Sequence, residues 1–156
     1  SETGAWVYNN NDPANGDTYG KLYNWYAVID TRGLCPSGWH VPSGLELTQL
    51  LDPFDFVSEA ASALKAGSGW DSNGNGSNAT GFTGLPGGAR QTNGEFNGVG
   101  GTSHYRSTSE SDSPYSDDWV DVLFLTGVWS GCGSCNTVMV TGGNREHGNS
   151  VRCLRD

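Results

Sequence analysis

Helical periodicity in this chain is confined to residues before 66 and strand character to residues after 118, with a turn-rich stretch between them. Segregation of that kind argues for an α+β fold with an antiparallel sheet and against alternating βα units on a parallel sheet. Leu22, Tyr23, Tyr26 and Ala27 fall at helical spacing with Asp17 or Thr18 available as a cap, which predicts a first helix over residues 19–29. Ser43 stands three residues ahead of Glu46, a capping-box spacing before Leu47, Leu50 and Leu51, so a second short helix starts at Ser43 and stops before Pro53. A weaker helical stretch covers residues 58–65. Residues 119–125 form the strongest strand pattern, and 137–141 and 150–154 are two more, separated by Gly-rich turns. Residues 1–18 read as an edge segment at Trp6 and Val7 followed by loop.

A length of 156 residues fits one domain, spanning residues 1–156. Leu, Ile, Val and Phe number only 28, whereas Gly, Ser, Asn and Thr supply 66, so the aliphatic core is small and loops are extensive. The 17 aromatic residues compensate, each able to bury roughly 150–250 Å². Trp25, Trp39 and His40 are expected in that core. Residues 67–88 carry only Trp70, Phe82 and Leu85 as anchors. A run that long in a compact domain needs a device to hold it.

With 8 basic against 17 acidic residues, the chain has no electrostatic grip on phosphate backbones, and nucleic acid is not an expected partner. No window approaches the roughly 18 apolar residues of a membrane span, and no leader pattern follows Ser1, so any signal peptide is expected to have been removed. Four cysteines and two lysines beside a weak aliphatic core suit an extracellular or cell-surface domain, with a virion surface as the alternative. Cys35 and Cys153 sit in packing-rich contexts near opposite ends of the chain. A disulfide between them closes a loop of about 118 residues, worth up to roughly 4.7 kcal/mol on chain-entropy grounds. Cys132 and Cys135 form a Cys-x-x-Cys between two strands, read as a local disulfide or two loop thiols rather than a redox or zinc motif.

Asp71, Asn73 and Asn75 with Gly76 match the opening of a calcium loop, but Phe82 occupies the position of the closing acid. A loose calcium site there, or in the acidic stretch from Glu110 through Asp112, Asp117, Asp118 and Asp121, stands beside the plainer reading of solvated turns. No cofactor is implied. Catalysis finds little support, since no Gly-x-Ser-x-Gly elbow and no His-Glu-x-x-His occurs. His104 and His147 read as exposed contact residues in polar loops.

Four ordered segments, Tyr19-Gly20-Lys21-Leu22-Tyr23-Asn24-Trp25-Tyr26-Ala27-Val28, Cys35-Pro36-Ser37-Gly38-Trp39-His40-Val41-Pro42-Ser43, Gly81-Phe82-Thr83-Gly84-Leu85-Pro86-Gly87-Gly88 and Ser150-Val151-Arg152-Cys153-Leu154-Arg155-Asp156, resemble the Fibrobacter succinogenes major paralogous domain family over nearly the whole chain. The resemblance implies a C-type-lectin-like fold: two short helices packed on a small antiparallel sheet, long loops, and a terminal strand tied back to the start of the fold. It implies a secreted or surface protein. Arg106 stands where relatives usually carry an aromatic, and the stretches at Trp129–Asn136 and Asn144–His147 replace runs of Asn and Tyr. Such C-terminal regions are also similar to the variable proteins of diversity-generating retroelements, in which Asn codons are randomised at adenines.

The expected function is therefore ligand binding of receptor or adhesin type, not catalysis, with a protein or glycan ligand on another cell or surface. His104, Tyr105, Arg106, Tyr115, Asp117, Asp118, Trp119, Trp129, Ser130, Cys132, Ser134, Cys135, Asn136, Asn144, Arg145 and His147 are the candidate contact residues, because Tyr, Trp, Arg and small polar side chains combine contact area with adaptable hydrogen bonding. They are expected to converge on one exposed face. Carbohydrate binding and a structural surface-layer role are the alternatives. A formylglycine-generating oxidase, implied by distant relatives, would have to use Cys132 and Cys135.

Overall fold

A computed structural model describes residues 2–112, 118–128 and 136–156. The chain runs from a short strand β1 (Trp6–Val7) through a 3-10 turn into helix α1 (Pro13–Tyr19), strand β2 (Leu22–Tyr23) and helix α2 (Trp25–Val28). Strand β3 (Trp39–His40) and helices α3 (Gly44–Gln49) and α4 (Val57–Leu64) follow. The remainder is strand: β4 (Gly87–Arg90), β5 (Phe96–Val99), β6 (Thr102–Glu110), β7 (Trp119–Thr126), β8 (Val138–Asn144) and β9 (Leu154–Arg155). Five of them form one sheet in the order β5-β4-β6-β7-β8. The α+β class and the helices-first order hold, but the sheet is mixed, because β4 meets β6 in parallel at Gly88 and Ser103.

Helix α3 has the expected Ser43–Glu46 capping box, and α4 falls within one residue of the expected span. The predicted helix over 19–29 does not form. Gly20 takes a left-handed φ of 75°, and Asn24 caps a new four-residue helix by accepting the Ala27 N–H. The helix lies earlier, where the Asp12 side chain accepts the Ala14 N–H and Pro13 takes the first turn. Among the described residues four short helices thus stand where three helical stretches were expected. The strand expected over 150–154 is also cut down: Ser150 makes one parallel bridge with Tyr105, and only Leu154–Arg155 pair as a strand, with β3.

The apolar core lies on one face of the large sheet. Tyr105, Leu123, Leu125 and Val138 point from the strands onto Leu47 of α3, Ala60, Ala61 and Leu64 of α4, and Trp70. The 67–88 stretch is held against the end of α4. Backbone N–H groups of Ser77, Thr80 and Gly84 donate to the carbonyls of Ser62, Ala63 and Leu64, the groups a helix C-terminus leaves unpaired. Inside that loop lies the ammonium of Lys65, fully buried, 2.6 Å from the Gly74 carbonyl, 3.1 Å from the Thr126 carbonyl and 4.9 Å from the centre of the Trp70 ring.

Cys35 and Cys153 are bridged, as expected, beside the β3·β9 pair. Trp25 is buried, but Trp39 is 46% exposed and is not a core residue. Nor is His40: its ring is half-exposed, with Nδ1 2.6 Å from Asp156 and Nε2 3.0 Å from Glu46. A two-stranded ribbon cannot enclose either side chain.

Candidate functional site

The opposite face of the sheet is partly open: Met139 and Thr141 are exposed and His104 and Phe124 half-buried, while Arg106, Val120 and Val122 are buried. Cross-strand partners share a face, so His104, Phe124 and Met139 form one row and Arg106, Val122 and Thr141 the next. The His104 and Phe124 rings lie 4.7 Å apart, tilted by 38°. At the β8 edge the Trp119 ring occupies the space a Cβ on Gly142 would need, on the face Gly142 shares with Asp121, while on the cleft face Val122 Cγ2 would come within 2.9 Å of a Cβ on Gly143. These two glycines thus let the Trp119 and Val122 side chains lie against the β8 backbone. The Asn144–His147 turn and Asn149 complete a cleft of about 350 Å³ over Val122 and Phe124.

Beneath that turn lies Arg106. Its side chain is 0% exposed, and Nη2 donates to the backbone carbonyls of Asn144 and His147, both at 2.6 Å. Nε and Nη1 are buried without a partner, as are His104 Nδ1 and Asn149 Oδ1. Burial lowers the pKa of His104 to about 4, with the charge of Arg106 acting in the same direction against a hydrogen bond to Gly88. Burial and Arg106 also lower that of His147. Both imidazoles are therefore neutral at pH 7. The guanidinium itself is brought down to about 9 by burial and remains charged.

Four of the expected contact residues, His104, Trp119, Asn144 and His147, come together in this cleft. Two others are corrections. Tyr105 and Arg106 were expected at the surface and are buried: strand alternation turns Tyr105 into the core, where its hydroxyl accepts the Leu85 N–H at 3.0 Å, and the 144–149 segment covers Arg106. His104 is not a loop residue either, since it lies in mid-β6. Arg145 is close by but committed elsewhere, 4.7 Å over Trp25 and 3.3 Å from Glu110, with its N–H on the Asp118 carbonyl. Asn136 donates to the Ser58 carbonyl at α4. Tyr115, Asp117, Trp129, Ser130, Cys132, Ser134 and Cys135 lie outside the described residues. Phe124, Val122 and Asn149 were not anticipated; the alternation of β7 was the available signal for the first two.

At the proposed calcium loop, Asn75 Oδ1 accepts the Trp70 N–H and the Gly74 carbonyl accepts from Lys65. Among the described residues no group of three His, Cys, Asp or Glu side chains is arranged to hold a metal ion. No helix among them is long and apolar enough to cross a membrane.

No curated protein and no solved structure matches the chain. Residues 1–155 match the Fibrobacter succinogenes major domain family. Spanned almost end to end by that match, the chain belongs to the Fibrobacter succinogenes major domain family.

Proposed function

We propose that this is a ligand-binding domain of a secreted or surface protein, built on a C-type-lectin-like scaffold and binding a protein or glycan rather than catalysing a reaction. The observation that carries the reading is the convergence of His104, Trp119, Asn144 and His147, distant in sequence, on one cleft. A disulfide closing 118 residues favours an oxidising, extracytoplasmic setting. An aromatic ring beside amide and imidazole groups is the side-chain chemistry of recognition surfaces.

Diversification of this surface by a retroelement acts, in this reading, on Asn144, Arg145, His147 and the 129–136 stretch. Tyr105 and Arg106 drop out of the variable set because burial ties them to the scaffold. Sibling sequences from one locus test it: substitutions spread evenly over the chain, or frequent at Arg106, refute it. The binding reading is tested by screening the labelled domain against immobilised proteins and glycans. A ligand of this cleft loses at least about five-fold in affinity on Trp119→Ala or Asn144→Ala, the size of a 1 kcal/mol contact. Ligands that bind both variants like the wild type refute the cleft as the contact site.

A further inference from the structure

We propose that a second pocket, beside the Cys35–Cys153 bridge, docks an apolar side chain of a partner polypeptide that carries an acidic residue next to it, with Arg152 as the counter-charge; this stands independently of the β6–β8 cleft. The pocket, of about 470 Å³, lies between α3, the 80–82 turn and residues 152–154. Leu47 and Phe82 of its wall also pack in the apolar core, which puts it on the side of the sheet away from the cleft. Trp39, Pro42, Leu50 and Leu154 extend the apolar wall.

The pocket opens among apolar side chains that meet solvent: Trp39 is 46% exposed and Leu154 43%. Large apolar residues gathered at the mouth of a cavity, with an arginine among them, have the make-up of a protein-binding hot spot. Charge then selects the partner. Glu46 is taken, its Oε1 lying 3.0 Å from His40 Nε2 and its Oε2 accepting from the Ser43 N–H and hydroxyl, both at 2.8 Å. The Thr80 hydroxyl donates to the Ala63 carbonyl and accepts the Phe82 N–H. Arg152 is the polar side chain of the wall with donors to spare. Its guanidinium lies 5.3 Å from the centre of the Phe82 ring, and Nη2 donates to the Thr83 carbonyl at 3.0 Å, which fixes it beside the 80–82 turn. Among the described residues no carboxylate pairs with it. Arg152 is exposed, so a partner carboxylate reaches its remaining N–H groups from solvent, as a charge-assisted hydrogen bond, while the neighbouring apolar side chain enters the pocket.

The test is an NMR titration of the isotope-labelled, disulfide-bonded protein with the acetylated, amidated peptides Glu-Leu-Phe-Glu, Gln-Leu-Phe-Gln and Lys-Leu-Phe-Lys at equal ionic strength. The chain's net charge of −9 favours the Lys peptide, so a preference for the Glu peptide has a local source. The expected result is saturable binding of the Glu peptide that shifts the Trp39, Phe82, Arg152 and Leu154 resonances, at least about two-fold tighter than the Gln peptide and tighter than the Lys peptide. Arg152→Met should bring the Glu and Gln peptides to equal affinity, and Trp39→Ala should weaken both at least about five-fold. If Arg152→Met does not fold, the ranking on the wild type decides. A Glu peptide no tighter than the Gln peptide, or a Lys peptide that binds tightest, overturns the acidic partner. Absence of saturable binding, or shifts confined to other surfaces, overturns the docking site. Trp119→Ala should leave these affinities unchanged, so the β6–β8 cleft is judged separately.

Discussion

Replacing Lys65 by Met keeps the length of the side chain and removes its charge, so it isolates what the ammonium does inside the 67–88 loop. Two effects oppose each other. Burial pushes the Lys65 pKa down to about 8, so a neutral side chain escapes a desolvation cost. Against this, the Gly74 carbonyl loses its donor at 2.6 Å and the Thr126 carbonyl loses one at 3.1 Å, in a place where the lysine is fully buried and water cannot replace it. A buried acceptor left unsatisfied costs about 1–3 kcal/mol, and the cation over the Trp70 ring adds about 0.5–2 kcal/mol. The carbonyls are backbone and cannot be replaced by apolar groups, so their loss outweighs the relief. Lys65→Met should destabilise by about 2–4 kcal/mol. For a chain of this size that lowers Tm by roughly 4–16 °C. Urea unfolding followed by tryptophan fluorescence measures it, with millimolar calcium and with chelator in parallel. Wild-type stability should not respond to calcium, because an ammonium already serves the Gly74 carbonyl. Because the folded-state pKa lies below the ordinary value of 10.5, the unfolded chain holds more protons between about pH 8 and 10.5. Wild-type stability should therefore rise with pH across that window relative to Lys65→Met. A variant as stable as the wild type would refute the assignment of the lysine as the loop's internal anchor.

Breaking the Cys35–Cys153 bridge by Cys35→Ser should cost about 2–5 kcal/mol in denaturant titrations, and intact mass under non-reducing conditions should show the bond. Trp25→Ala should cost about 3–5 kcal/mol, whereas Trp39→Ala, on a half-exposed ribbon, should cost no more than about 1 kcal/mol; equal losses would contradict the burial described above. Hydrogen bonds to Asp156 and then Glu46 raise the His40 pKa above 6.5, so its contribution is complete below pH 6.5 and is lost as pH rises through the higher folded value. His40→Gln should flatten that part of the stability profile. The Ser43 backbone and hydroxyl, then His40, hold Glu46 down to about 2, so the capping box weakens as pH falls from 4.5 toward 2. Ser43→Ala should reduce this acid sensitivity.

How much of this was readable in the sequence depended on how local the governing interaction is. The Ser43–Glu46 box is settled by two side chains three residues apart, and α3 appears where the spacing places it. The segment at 19–29 has the right apolar period, yet Asn24 gains more by turning its side chain on the N–H groups of Ala27 and Ala5 than by continuing a helix. Strand β6 was hidden for a different reason. Ser103, Arg106 and Ser107 are polar and fully buried, so the segment looks like loop until β7 and Ser150 supply its backbone partners. The cleft was half visible: its rim residues have contact chemistry in plain sight, while its floor, Val122 and Phe124, depends on cross-strand register that no single segment encodes. The burial of Arg106 follows from the same long-range pairing.

The bridge between Cys35 and Cys153 also decides how the domain carries force. A pull applied to the flanking chain at both ends reaches the covalent link directly, beside the β3·β9 ribbon. The 118 residues of sequence separation between the two cysteines, which would add about 400 Å if drawn straight, lie off the load path and cannot be paid out while the bond lasts. Only residues before Cys35 and after Cys153 can unravel while the bond lasts; drawing away Tyr23 and Trp25 would release the 145–149 turn they hold, but the length between the cysteines is given up only to a reductant.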